Sequence, residues 1–370
     1  MQKHHPKNER IKRRYVQYLR EAKCLSHTSV DHAVAAIASF EESIRYRDFA
    51  SFHIEQARQF KRNLADFINP GTGKPLAKAT IHSRLMALKA FFQWLADQPG
   101  YRSRLRYSDA DYFNPSANDS RVARAIRERP VPTIEQIRHV LAAMQAENDI
   151  HRRDRAVIAF TLLTGARDNA IASMSLKHIN VIRRRVFQDA REVRTKRAKT
   201  FTSTFFPVGN DIESIVVEWI DHVENALLFS KEDPIFPATR IELDRNGVFT
   251  AAGLERRHWN NANAIRRIFK DAFETAGLPY FNPHSFRNTL ARLGEQKCRT
   301  PEEFKAWSQN LGHDQVMTTF TSYGSVSNHR QDEIMHDLHA TLRGSDSNVQ
   351  TDRETIEKVI ALLEGRSLGE

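Results

Sequence analysis

The chain has 370 residues, a hydrophobic share of 40% and a formal net charge of +11. This length allows two buried cores, and no run of 18 apolar residues predicts a membrane-spanning helix. Cys24 and Cys298 show no metal-ligand spacing and no disulfide framework, which excludes a disulfide-rich secreted domain and favours the cytoplasm. The basic charge favours a polyanionic partner, and a basic soluble protein without such a partner is the alternative.

The first part of the chain is expected to be helical. Residues 1–14 are polar and basic, lack the apolar core of a signal peptide, and predict a flexible N-terminus. Residues 15–115 predict an all-helical domain of four or five helices, because apolar residues recur at helical spacing. Thr80 is the expected N-cap of the longest apolar stripe, which consists of Ile81, Leu85, Leu88, Phe92 and Leu95.

Three basic residues accompany this stripe, and they are Lys78, Arg84 and Lys89. They are candidate contacts to phosphate groups, with solvated polar positions as the alternative.

A linker is expected over residues 116–132, which mix proline, serine and asparagine with charges and lack strong periodicity. Thr133 then opens a helix and a second domain, expected over residues 133–342. The tail, residues 343–370, starts as a loop. It then carries a short amphipathic helix with the apolar residues Ile356, Val359, Ile360 and Leu363, which is expected to dock on its own domain or on a neighbouring protomer.

Within the second domain, helices are expected over 153–163, up to about Met174, over 212–228 and over 258–276. Alternating and β-branched runs predict a small antiparallel sheet of two or three strands, near Arg185–Phe187, Glu192–Val193 and Phe201–Val208. The expected fold class is therefore mainly α with a small antiparallel β-sheet, in two domains.

Two short motifs of this domain supply arginines. In NPHSFR, Asn282 is a good N-cap, so His284 and Arg287 lie one turn apart near a helix N-terminus, where free N–H groups suit a phosphate. Because the apolar residues of this helix form a separate face, both side chains are expected to project away from the core. In TLLTGAR, Gly165 ends a helix and Arg167 follows in a turn, where its planar guanidinium can bind two phosphate oxygens.

A basic run precedes the predicted strand at Phe201. Between Arg183 and Lys199 there are eight lysines and arginines against two acids. Lys199 on a hairpin can donate a proton to a leaving oxygen, and Lys196 is a competing candidate. Lys196 and Arg197 are also candidate phosphate contacts, although such a run is often only a solvated face.

The sequence LGHDQVMTTFTSYG completes the set with His313 and Tyr323. A tyrosine hydroxyl is a weak nucleophile at neutral pH because its pKa is about 10. Neighbouring arginines and a lysine around a phosphate would favour the phenolate. The commoner role of a single tyrosine is a half-buried ring with its hydroxyl at the surface.

The order and contexts of these motifs resemble the tyrosine recombinase, or phage integrase, family over roughly residues 15–340. The resemblance implies that Arg167 and Arg287 clamp a scissile phosphate of double-stranded DNA and that Lys199 protonates the leaving 5′-oxygen. It implies that His284 accepts the tyrosine proton or holds the phosphate. His313 would bond a non-bridging oxygen, and Tyr323 would form a 3′-phosphotyrosyl link without metal, ATP or cofactor.

The resemblance also implies an assembly. Two domains would form a clamp around the duplex, with the helical domain as a core-binding domain. Four protomers would act on two DNA sites and exchange C-terminal elements, for which the helix at 354–364 is the candidate. Helper proteins are possible partners, and no membrane partner is expected.

Two positions depart from the family pattern. The residue three after the first arginine is often acidic in the family and is Ala170 here. Asp168 or another acid is a candidate substitute, and the absence of any substitute is the alternative. His313 and Tyr323 are ten residues apart, one more than the usual spacing.

The alternatives are a type IB topoisomerase with a similar site, and a DNA-binding protein without activity. A metal-dependent nuclease would need a carboxylate cluster that the sequence does not indicate.

Overall fold

The computed structural model describes residues 4–124, 130–245 and 247–313, together with residues 332, 335 and 336. The chain divides into two compact units, residues 1–126 and 127–370. Both are built mainly from helices, and the second contains the small antiparallel sheet that the sequence predicts. The first was expected to be all-helical, but it also contains one short pair of antiparallel strands.

The first unit is a helical domain. Its helices are α1 (Pro6–Glu21), α2 (His27–Ser43), α3 (Ile54–Asp66), α4 (Lys78–Ala96) and α5 (Ala117–Arg124). A short antiparallel pair, β1 (Ile68–Asn69) and β2 (Lys74–Pro75), connects α3 to α4.

Aromatic rings fill the core of the first unit. Phe40 is fully buried and makes edge-to-face contacts with Phe60, Phe92 and Phe113, with ring centroids 5.3, 5.3 and 5.4 Å away. Such contacts add stability beyond the area that the rings bury. The apolar stripe of α4 supplies one side of this core, as its helical spacing predicts.

Three further expectations for this unit are wrong. The flexible segment expected over residues 1–14 is helical from Pro6 onward, because Asn8 and Ile11 are buried and Asn8 Nδ2 donates to Glu41 at 2.8 Å. Helix α4 begins at Lys78, so Thr80 is not its N-cap. Part of the expected linker over 116–132 is helix α5, which packs on α4.

The second unit begins with α6 (Ile134–Ala143), whose N-cap is Thr133 as expected. It continues with α7 (Asp149–Thr164), α8 (Asp168–Ile171), α9 (Asn210–Asp221), α10 (Asn263–Thr275), α11 (Pro283–Lys297) and α12 (Pro301–Asn310). Helix α7 is central, because every residue from Ala156 to Thr164 is buried. The helices expected at 153–163, 212–228 and 258–276 are present with bounds shifted by a few residues.

Two antiparallel sheets accompany these helices. Strands β3 (Ile179–Asn180), β4 (Arg185–Gln188) and β5 (Phe201–Thr204) form one sheet in which Val186 pairs with Ser203. The strand expected at Glu192–Val193 is wrong, since these residues lie in a turn, and the strand from Phe201 ends at Thr204.

A separate hairpin was not expected from the sequence. It consists of β6 (Ala238–Leu243) and β7 (Phe249–Glu255).

None of the helices described above combines the length and the apolar character that a bilayer crossing requires.

Candidate active site

The turn after α7 places the first arginine. Gly165 ends the helix in the left-handed conformation, with φ of 62°. A Cβ atom at this position would lie 2.9 Å from Leu311 Cδ2, so the site also excludes a side chain. Arg167 follows as the half-buried N-cap of α8. The glycine therefore lets the chain reverse tightly enough to hold Arg167 at the junction between two helices.

Helix α11 places the second arginine and the first histidine. The Asn282 side chain accepts a hydrogen bond from the Ser285 backbone N–H at 3.1 Å, and Pro283 follows as the first helical residue. This cap fixes where the helix starts. His284 is exposed on the first turn, whereas the Arg287 side chain is only 2% exposed.

The buried side chain of Arg287 joins α11 to the turn after α7 and to the segment after α12. Its Nη1 group donates to the Gly165 carbonyl, and Nη2 donates to the Leu311 carbonyl at 2.5 Å. Nη2 also lies 3.1 Å from His313 Nε2. The expectation that Arg287 projects away from the core is wrong, because Leu311 and His313 of the segment after α12 cover it.

Lys199 reaches the site from the turn before β5. Within the preceding turn, Lys196–Ala198, Arg197 and Ala198 have the left-handed φ values of 60° and 51°. Lys199 Nζ donates to the Gly312 carbonyl at 3.3 Å and lies 5.8 Å from the centre of the Phe201 ring. The turn thus directs the Lys199 ammonium toward the segment that carries His313.

The segment after α12 is fitted closely to Phe201. Gly312 has φ of 72°, and a Cβ atom there would lie 2.7 Å from Phe201 Cζ. The His313 backbone N–H donates to the Ser308 carbonyl at 3.2 Å. Leu311 is fully buried, so the segment is held on both sides of the glycine.

The two histidines lie in a strongly positive environment. Desolvation, followed by the charges of Arg287, Arg167 and Lys199, lowers the pKa of His313 to about 4. Desolvation and the charges of Arg287, Arg167 and Lys196 lower the pKa of His284. Both rings are therefore neutral at neutral pH while the site around them is cationic, which suits an anionic ligand.

Comparison with known proteins identifies the family. Residues 132–330, more than half of the chain, match the Phage integrase family. This chain belongs to the phage integrase family. A curated relative, Tyrosine recombinase XerC 2 of Ralstonia nicotianae, is 26% identical over 129 residues, which cover 35% of this chain and 34% of that protein. The match thus spans about a third of the relative's length.

Solved structures of integrases share the fold. The structure of a lambda integrase dimer bound to a COC′ core site has a TM-score of 0.59 at 14% identity, covering 87% of this chain and 81% of that chain. The structure of the Tn1549 transposon integrase in complex with transposon right end DNA has a TM-score of 0.53 at 14% identity, covering 89% and 99%. At this identity the likeness concerns the fold.

The position that is often acidic in phage integrases is a buried alanine here. Ala170 is 1% exposed and packs in the core. Asp168 Oδ2 accepts a hydrogen bond from Arg266 Nε at 2.8 Å. The negative charge of Asp168 opposes, without reversing, the lowering of the His284 pKa that desolvation and the neighbouring cations cause. The sequence did not indicate Arg266, because nothing in the helical pattern of α10 separates it from other solvated arginines.

An exposed tyrosine lies in the same part of this phage integrase. Tyr280 is 43% exposed, and desolvation raises the pKa of its hydroxyl. The charges of Arg266 and Asp168 also act on the pKa of this hydroxyl, in opposite directions, so Tyr280 lies within electrostatic range of that ion pair.

The structure thus brings together five of the residues singled out in the sequence, namely Arg167, Lys199, His284, Arg287 and His313. Tyr323 lies outside the described residues, as does the helix expected at 354–364. Within the described ranges, no three His, Cys, Asp or Glu side chains are grouped closely enough to hold a metal ion.

Two of the five residues suggested as phosphate contacts are already ion-paired in the first unit. Lys78 Nζ lies 2.7 Å from Asp119 Oδ1, and Lys89 Nζ lies 2.8 Å from Asp111 Oδ1. Arg84 is half-buried on α4, whereas Lys196 and Arg197 are exposed in the turn of the second unit.

Proposed function

We propose that this chain is a site-specific DNA recombinase that cuts and rejoins double-stranded DNA through a 3′-phosphotyrosyl link to Tyr323. The observation that supports this proposal most strongly is the meeting of two arginines, a lysine and two histidines in one unit of a phage integrase fold. These residues come from four separate parts of the chain.

The arginines would hold the scissile phosphate in two different ways. Arg287 is buried and fixed by the carbonyls of Gly165 and Leu311, so it would act as a stationary charge beneath the phosphate. Arg167 is half-buried at a helix N-cap and would contact the non-bridging oxygens from the side. Preorganised charges of this kind stabilise the transition state because they need no rearrangement during the reaction.

The two neutral histidines would have different roles, one as a proton acceptor and the other as a hydrogen-bond partner of the phosphate. His284 is exposed and its pKa is lowered, so its ring can accept the proton of the Tyr323 hydroxyl as that oxygen attacks phosphorus. His313 lies against Arg287 and would bond a non-bridging oxygen of the phosphate.

Lys199 would complete the cleavage step. The bond from phosphorus to the 5′-oxygen breaks as the bond to the tyrosine oxygen forms, and the Lys199 ammonium would give its proton to the leaving oxygen. The contact between Lys199 Nζ and the Gly312 carbonyl supports this role over Lys196, whose charge acts on His284 instead. Rejoining is the reverse attack by a 5′-hydroxyl, so the phosphotyrosyl bond conserves the energy.

The formal charge of +11 supports a DNA partner. In the first unit we propose Lys78, Arg84 and Lys89 as phosphate contacts, and in the second unit Lys196 and Arg197. Because Lys78 and Lys89 are paired with Asp119 and Asp111, a phosphate would have to replace those carboxylates.

Assembly is the remaining part of the proposal. A lambda integrase tetramer bound to a Holliday junction has a similar fold, with a TM-score of 0.55 at 13% identity, covering 86% of this chain and 80% of that chain. We propose that four copies of this chain act on two DNA sites in the cytoplasm, with the segment 354–364 exchanged between copies. Helper proteins are included in the proposal only as further partners of this assembly.

The test is a covalent trapping experiment. The protein would be incubated with duplexes from the DNA flanking its gene, each nicked so that cleavage releases a short strand. We expect a protein–DNA adduct that resists denaturation and forms in the presence of EDTA. The Tyr323→Phe variant should bind the duplex and form no adduct, whereas the Tyr280→Phe control should still form it.

The same experiment separates the competing functions. An adduct combined with relaxation of plasmids that lack paired sites would indicate a topoisomerase. Binding without any adduct would indicate an inactive DNA-binding protein, and cleavage abolished by EDTA would indicate a metal-dependent nuclease.

A further inference from the structure

The β6–β7 hairpin presents apolar side chains to solvent. Ile241 pairs with Ala251 and Leu243 pairs with Phe249 across the two strands, so these four side chains share one face of the hairpin. Ile241, Leu243 and Phe249 are 55%, 62% and 75% exposed, and Val248 beside them is 57% exposed. A two-stranded sheet with such a face is rarely stable alone in water.

The base of the hairpin is firmly anchored in the second unit. The buried Arg153 donates from Nη1 to the Pro237 carbonyl and to Thr239 Oγ1, both at 2.9 Å. The Ala238 backbone N–H donates to the Arg257 carbonyl at 2.8 Å, which extends the pairing below the strands. These hydrogen bonds hold the base of the hairpin in the second unit, and the exposed apolar end of the hairpin extends from that base.

The two outer edges of the hairpin differ. Between the pairs Thr239–Leu254 and Ile241–Ala251, strand β7 has one residue more than β6, so the bulge lies in β7. Gly253 within that bulge has φ of 115°. A bulge disrupts the edge of a strand, and it leaves β6 as the regular edge with backbone groups able to pair with another strand.

The charged side chains on β6 would be complementary between two antiparallel copies of this strand. Arg240 and Glu242 are exposed and lie on one face, where Arg240 Nε is 3.1 Å from Glu242 Oε1. If two copies of β6 pair antiparallel with Ile241 opposite Ile241, each Arg240 stands opposite Glu242 of the other copy. Charges that prevent edge pairing with most strands therefore favour pairing between two copies of this one.

We propose that β6 is a self-association edge, through which two copies of this chain pair antiparallel about a two-fold axis at Ile241. The pairing joins the two hairpins into one four-stranded sheet, brings the two Ile241 side chains together and places Leu243 near Thr239 of the other copy. The contact is isologous. It does not depend on the proposed recombinase activity, since it uses no residue of the active site.

The area involved is smaller than that of permanent dimers, so the dimer is expected to be weak. Sedimentation velocity of the full-length protein without DNA, from roughly 1 to 200 µM, covers the range in which a weak dimer forms. We expect a monomer–dimer equilibrium for the wild-type chain. A monomer at every concentration would overturn the proposal.

Charge reversal gives the specific test. Arg240→Glu and Glu242→Arg should each weaken the dimer at least about tenfold, because like charges then stand opposite each other. The double variant R240E/E242R should dimerise again. An equimolar mixture of the two single variants should form the mixed dimer, because each supplies the charges that the other lacks.

Two controls exclude a general effect of charge or unfolding. Ile182→Asp changes an apolar residue that is 97% exposed outside the hairpin, and it should leave the dimer unchanged. Circular dichroism should be the same for all variants, since both altered residues are exposed. A dimer that persists unchanged in both single variants, or a double variant that remains monomeric, would refute pairing through β6.

Discussion

Arg287 Nη2 lies 3.1 Å from His313 Nε2, and this contact fixes the protonation state of the histidine. A guanidinium can only donate hydrogen bonds, so His313 Nε2 must accept and its ring must be neutral with the proton on Nδ1. The lowered pKa of His313, about 4, agrees with this arrangement. A bound phosphate would raise the pKa of His313, because its negative charge stabilises the protonated ring.

The first prediction concerns stability against pH. The pKa of His313 falls from 6.5 to about 4 on folding, so between these values the unfolded chain binds a proton that the folded chain does not. Stability should therefore decline as the pH falls from about 6.5 toward 4. Melting temperatures of the wild type and of His313→Asn, measured across this window, should show the smaller decline in the variant. Parallel curves would mean that His313 does not carry this linkage.

The second prediction separates the roles of the two arginines. Arg287→Ala should lower the free energy of unfolding by about 1–3 kcal/mol for each of the two buried carbonyls, of Gly165 and Leu311, that lose their donor. Arg167→Ala should reduce adduct formation by orders of magnitude with a much smaller loss of stability, since its side chain is only half-buried. Urea unfolding and single-turnover cleavage measure the two effects. Equal stability losses in both variants would contradict the structural role of Arg287.

The third prediction tests the turn that orders the site. The Gly165→Ala variant would have to adopt a left-handed backbone conformation at residue 165. Its Cβ atom would also lie 2.9 Å from Leu311 Cδ2. Gly277 is the matched control, because its φ is 69° and nothing lies within 4 Å of a Cβ atom there. Gly277→Ala should cost about 1 kcal/mol of backbone strain, and Gly165→Ala should cost a further ~1–3 kcal/mol from overpacking. If the two variants are equally stable, the close contact with Leu311 is not restrictive.

The fourth prediction distinguishes Lys199 from Lys196. If Lys199 protonates the leaving oxygen, Lys199→Ala should slow cleavage roughly 10²–10⁴-fold. A substrate with sulfur at the 5′-bridging position should restore most of the rate, because a thiolate leaves without a proton. Lys196→Ala should have a smaller defect that the sulfur substrate does not relieve. Rescue of Lys196→Ala in place of Lys199→Ala would reverse the assignment.

Much of the site could be predicted from short motifs. The caps at Asn282 and Gly165 depend on local backbone preferences, so the sequence indicates both turns and the arginine and histidine that follow them. The burial of Arg287 could not be predicted from the helix alone. It results from the segment at Leu311 and His313, which is distant in sequence and covers that face of α11.

The strands were harder to predict than the helices. Strand β6 carries Arg240 and Glu242 among apolar residues, and β7 contains a glycine and a bulge, so neither shows the clean alternation of a half-buried strand. At the N-terminus, the buried Asn8 donates a hydrogen bond to Glu41. This tertiary contact cannot be predicted from a polar and basic sequence.

The most direct test of the central claim is to locate the DNA attachment point on the protein. The trapped adduct would be digested with nuclease and protease, and the peptide that carries the remaining nucleotide would be sequenced by mass spectrometry. We predict that the nucleotide is attached to Tyr323 through its 3′-phosphate. Attachment to another residue such as Tyr280, or through a 5′-phosphate, would contradict the proposed mechanism.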